Sequence, residues 1–153
     1  MLLFRSNYAR CRAPRLETEH FILGFGSIIQ TASRRASDPT GAADAVPCRI
    51  GAGFGYVREW NYQSATSQIC ALGLRKCAPG ERGSTINGVL FPAPSDLTSF
   101  DQREAGYRRV EVPLAMVELL SWQRLPPSCS VSVYVVCVSP AWFDGLSLIG
   151  SSD

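Results

Sequence analysis

The sequence predicts an α+β fold, a small mixed β-barrel with a helix packed against it. Three observations carry this. Several segments of five to fourteen residues are apolar, β-branched and bounded by Gly or Pro, as strands are. Only one segment has helical spacing with start and stop signals. Neither internal repeats nor a linker divide the 153 residues, so residues 20–153 are expected to be one domain.

The elements follow in order. His20–Phe25 is apolar and runs into Gly24-Phe-Gly26, a buried strand ending in a tight turn. Residues 30–44 are small and polar and are broken by Pro39 and Gly41, which predicts a loop with at most one helical turn. Ala45–Ile50, Gly55–Trp60 and Ile69–Leu74 read as strands, Pro79–Gly83 as a turn and Thr85–Phe91 as a further strand. Pro92 and Pro94 then stop the strand, Ser95 is placed to cap a helix, and Asp96 suits its positive end. Leu97, Phe100 and Glu104 share one face of that helix, and Gly106 ends it. Tyr107–Leu120 and Val131–Val138 alternate as long strands.

Composition narrows the function. A net charge of +2 gives no case for nucleic acid, and no apolar run reaches the roughly 20 residues of a membrane-spanning helix. Arg5, Arg10, Arg12 and Arg15 crowd residues 1–19, which are expected to be a poorly ordered basic terminus, with an organelle-targeting segment as the alternative. A cytoplasmic location is the expectation. The six cysteines contain no Cys-x-x-Cys pair, and His20 is the lone histidine, so neither a metal nor a cofactor is expected. Reduced thiols, mostly in the core, are the expected state.

Two places carry chemistry. A carboxylate on the same helical stripe as Leu97 and Phe100 is partly desolvated, and partial desolvation tunes carboxylates for general-base work. Glu104 is therefore the candidate acid/base, against a structural ion pair with Arg103, Arg108 or Arg109. Gly24-Phe-Gly-Ser-Ile28 is a glycine-kinked loop whose backbone N–H groups can hold an anion or oxyanion. It lacks the third glycine of a dinucleotide loop. Ser27 has only His20, seven residues back on the same strand, which is poor support for a serine triad.

These segments together resemble the γ-glutamylcyclotransferase-like superfamily. Gly24-Phe-Gly-Ser-Ile28 is similar to its Tyr-Gly-Ser-Leu-type loop, and Ile86-Asn-Gly-Val-Leu-Phe91 to the strand before its catalytic helix. Phe100-Asp-Gln-Arg-Glu-Ala-Gly-Tyr-Arg-Arg109 resembles its Leu-Asp-x-x-Glu…Tyr-x-Arg signature. Arg58-Glu-Trp60 is loosely similar to a segment of the ChaC-type branch. The resemblance implies a small mixed β-barrel with flanking helices, one cleft, and release of 5-oxoproline from a γ-glutamyl amine, amino acid or peptide without a cofactor. It implies Glu104 as the acid/base. Gly24, Phe25, Gly26, Ser27 and Ile28 would hold the substrate's carboxylate or oxyanion, and Tyr107 would wall the cleft or orient Glu104. The only partner implied is the small γ-glutamyl substrate. A non-catalytic member of the fold, binding a small carboxylate or a protein, is the alternative.

Overall fold

The computed structural model describes residues 19–39, 44–63 and 69–136. The basic N-terminal run and the end of the expected Val131–Val138 strand lie outside these residues.

Eight strands and two short helices form the described fold. In chain order they are β1 (Glu19–Gly24), α1 (Thr31–Arg35), β2 (Val46–Ile50), β3 (Tyr56–Gln63), β4 (Cys70–Lys76), β5 (Ile86–Ala93), α2 (Thr98–Arg103), β6 (Tyr107–Glu111), β7 (Val117–Leu119) and β8 (Cys129–Val136). Six strands make one sheet in the order β6-β8-β1-β5-β2-β7, and β3 pairs with β4 as a separate hairpin. β1 is parallel to β8 and antiparallel to β5, which makes the sheet mixed.

The α+β mixed architecture is the one the sequence predicts, but the six-stranded sheet is not closed into a barrel. β6 and β7 are its two edges, and β3–β4 pairs with neither. One cause lies at Pro113. The expected Tyr107–Leu120 strand stops at Glu111, a 3-10 turn spans Leu114–Met116, and the chain resumes as β7 at the opposite edge. Pro113 has no N–H to continue the β6 ladder. Pro47 and Pro92, by contrast, are accommodated inside β2 and β5, so the expected stop at Pro92 does not occur and β5 runs on to Ala93.

The core has two parts. Leu23, Ile50, Leu74, Ile86, Leu90, Val131 and Val133 are buried on one face, joined by Cys48. Ile22, Ile28, Phe91, Phe100 and Tyr134 pack on the other. Alternation along β1 explains the division: Ile22 and Leu23 are neighbours in sequence and point to opposite faces.

The helix α2 is shorter than its spacing predicts. Asp96, not Ser95, supports its start, accepting hydrogen bonds from the Thr98 N–H at 3.0 Å and the Thr98 hydroxyl at 2.5 Å. Phe100 is fully buried against Phe91. Glu104 sits one residue past the helix with its N–H still donating to the Phe100 carbonyl at 2.9 Å, and Gly106 then turns the chain at φ +96°.

On the β3–β4 hairpin, Arg75 is held between Glu59 at 2.7 Å and Glu81 at 2.8 Å. The Arg75 guanidinium and the Ala78 N–H hold the Glu81 carboxyl down at about 2, against its usual 4.5. Its contribution to stability is therefore full above pH 4.5 and is lost as pH falls through about 2. The thermal midpoint of wild type should drop more steeply across that window than that of Glu81→Gln. Parallel curves would remove Glu81 from the acid response.

Candidate functional site

β1 delivers the glycine loop. Gly24 is its last residue, and a Cβ there would lie 2.5 Å from Ile28 Cγ2 and 3.2 Å from Phe91 Cε1, so a side chain at this position would force Ile28 to repack. Gly26 has φ +72°, a backbone conformation that favours glycine. Gly26–Ile29 then forms a 3-10 turn with no side-chain cap, and Ile28 plugs into the core beneath it. The leading N–H groups of such a turn have no preceding carbonyls to bond.

Arg34 fastens the back of this loop. Its buried guanidinium donates to the carbonyls of Ile28 (3.1 Å) and Ile29 and to Thr31 Oγ1 (3.0 Å), and it lies 5.6 Å from the Phe91 ring centre. Burial, with Arg35 adding to it, pushes its pKa down. Sequence reasoning missed this residue, because an Arg-Arg pair in a polar stretch reads as solvated surface.

All seven site residues expected from the sequence line one cavity of about 400 Å³: Gly24, Phe25, Gly26, Ser27, Ile28, Glu104 and Tyr107. Ile22, Leu23 and Tyr134 line it from the sheet, and Trp60, Ile69, Cys70, Ala71 and Leu72 from the hairpin region. The hairpin wall was not legible beforehand, because it is brought over by pairing between segments that carry no motif. Trp60 alone lay in a segment already singled out. Two residues back, Arg58 donates to the Asn87 carbonyl and lies 6.0 Å from the Phe25 ring centre.

The Glu104 side chain is 19% exposed and accepts a hydrogen bond from Arg103 Nε at 3.0 Å. Arg103 is itself anchored on α1, donating to the Ser33 carbonyl at 2.5 Å, Ser33 Oγ at 2.6 Å and Ser37 Oγ at 3.1 Å. The two other arginines considered as partners play no such part. Arg109 pairs with Asp101 at 2.8 Å, and no ion pair joins Arg108 to Glu104. Asp101 in turn accepts from Tyr134 Oη at 2.7 Å.

Tyr107 stacks on Tyr62 with ring centres 4.4 Å apart, and Tyr62 Oη donates to the Ala105 carbonyl at 3.1 Å. Burial, then the negative charge of Glu104, raises the Tyr107 pKa, so its phenol stays protonated as a donor. His20 does not line the cavity. Its Nδ1 lies 2.7 Å from Ser130 Oγ on β8, so a Ser27–His20 pair has no geometric support. Among the described residues, no three His, Cys, Asp or Glu side chains gather as a metal site requires, and no helix is long and apolar enough to cross a membrane.

The described cysteines, 48, 70, 77 and 129, are free thiols, but only Cys48 is a core residue; Cys70 is exposed and lines the cavity. Burial pushes the Cys48 thiol up to about 12, which keeps the reactive thiolate scarce. Iodoacetamide at about pH 8, a range that suits ordinary thiols, should alkylate Cys70 in the native protein and spare Cys48 until denaturant is added. Peptide mass spectrometry reads this, and equal labelling of both under native conditions would contradict the packing.

No protein-family model matches the chain, and no curated protein matches it in sequence. Solved structures do match it in fold. A γ-glutamyl cyclotransferase superposes with a TM-score of 0.56 at 14% identity, over 77% of this chain and 66% of its own. This chain thus spans just under two thirds of that protein's length. The crystal structure of an uncharacterized human protein gives 0.56 at 18% identity, over 86% of this chain and 83% of its own. A protein of Arabidopsis thaliana solved in solution gives 0.53 at 13% identity, over 89% and 78%. Likeness at such identities is one of architecture, and the architecture of this chain is γ-glutamylcyclotransferase-like.

Proposed function

We propose that the chain is an acyl transferase of the γ-glutamylcyclotransferase type, releasing 5-oxoproline from a γ-glutamyl amine, amino acid or peptide. The observation that carries this is the convergence of Glu104, Tyr107 and the Gly24–Ile28 loop, far apart in sequence, on one cavity. The shared fold supports it.

In the proposed reaction the substrate's own α-amine is the nucleophile. The loop's N–H groups hold the α-carboxylate or the oxygen of the γ-carbonyl, folding the chain so that amine and carbonyl carbon meet. A C–N bond forms between them, and Glu104 takes the proton that the amine sheds. The γ-carbonyl's bond to the leaving amine then breaks, and Glu104 returns the proton to that nitrogen. No atom is gained or lost beyond this exchange. Tyr107 walls the cavity beside Glu104 and supplies a protonated phenol.

The Arg103–Glu104 ion pair favours a second reading, in which Glu104 is structural and the cavity binds a small carboxylate without turnover. Chromatographic measurement of 5-oxoproline from γ-glutamyl amines, γ-glutamyl amino acids and glutathione separates the two. Release that vanishes in Glu104→Gln supports the enzyme. No release from any substrate, with retained binding, supports the second reading.

A further inference from the structure

We infer that the amine released is apolar and carries no carboxylate. This rests on the reading above and deepens it. The loop end of the cavity presents backbone donors, and the wall supplied by the β3–β4 hairpin and the residue before β4 presents Trp60, Ile69, Cys70, Ala71 and Leu72. That wall stands beside the loop, because β4 packs on the loop's 3-10 turn. With the γ-glutamyl group on the loop, the departing group meets the hairpin.

Two features define what this wall accepts. Among the described residues Glu104 is the only charged side chain lining the cavity, so a carboxylate on the departing group would find no cation among these lining side chains and would meet a like charge. An amino acid or a peptide such as cysteinylglycine therefore fits poorly. Trp60 and Ile69 are 73% and 61% exposed, large apolar surfaces that a hydrocarbon or aromatic substituent would cover. Both signals point to an alkyl- or arylamine.

The test uses three amides and the intact protein. γ-Glutamyl-3-methylbutylamide and γ-glutamylleucine differ only in the carboxylate, and γ-glutamylmethylamide lacks the hydrocarbon. The first should exceed each of the others in kcat/KM by about tenfold or more, the scale on which a hydrophobic pocket discriminates. In Trp60→Arg the ratio of the first to γ-glutamylleucine should collapse toward one, since the new cation pairs with the carboxylate. Turnover with γ-glutamylleucine equal or preferred in wild type overturns this inference and leaves the reaction standing. Absence of 5-oxoproline from all three while glutathione is turned over overturns this inference alone. Absence from all four overturns the reaction, and calorimetric binding of the three amides then decides whether the wall prefers an apolar group without a carboxylate. Tighter binding of 3-methylbutylamide sustains it, and equal, reversed or absent binding overturns it.

Discussion

Replacing Glu104 by Gln is expected to lower 5-oxoproline release by about 100- to 10,000-fold, the range that general acid–base catalysis contributes. The fold should survive, because the amide oxygen can still accept the Arg103 Nε–H now made at 3.0 Å and the side chain keeps its size. KM should change little, since the loop and not Glu104 is assigned the substrate's charged end. Full activity in this variant would remove Glu104 from the chemistry. Lost activity together with a lowered thermal midpoint would instead make Glu104 a strut for Arg103.

The second large effect is structural. A Cβ on Gly88 would lie 2.3 Å from the Gly24 carbonyl oxygen and 3.2 Å from its carbon. The obstacle is backbone, which cannot rotate aside. Gly88→Ala must therefore push β1 away from β5 where the loop begins, and overpacking of this kind costs about 1–3 kcal/mol. Denaturant titration should show that loss, with weaker substrate binding as the loop shifts. Gly24→Ala meets a side chain first, Ile28 Cγ2 at 2.5 Å, which can yield by repacking. It should cost less than Gly88→Ala, and the opposite order would mean that the strands and not the side chains give way.

The sequence was informative where local chemistry decides the outcome. β-Branched runs between glycines and prolines located all the strands except the break at Pro113, and Gly24 and Gly26 marked the turn. Short motifs singled out Glu104 and the Gly24–Ile28 loop, which line one cavity. What could not be read was long-range. Nothing local tells that β7 leaves for the far edge of an open sheet. Nor does it tell that Arg34, in a polar stretch, turns inward to three oxygen acceptors, or that Ile69 and Leu72 wall the cavity. The helix was overextended because its spacing continues through Glu104, while Gly106 and the Tyr62 ring packed on it divert the chain earlier.

The parallel pairing of β1 with β8 has a consequence for how the protein is made. Glu19 is matched to Cys129 and Leu23 to Val133, so the strand that presents the glycine loop lies between a partner synthesised midway and one synthesised about 110 residues later. Pairings this distant in sequence slow folding, since the loop-closure entropy precedes any reward. On the ribosome, β1 and β5 can pair early, but the cavity lined by Tyr134 of β8 cannot be completed until β8 emerges. A nascent chain halted before Cys129 should therefore present an unpaired β1 edge to chaperones and proteases, and competence for chemistry should arrive late and all at once.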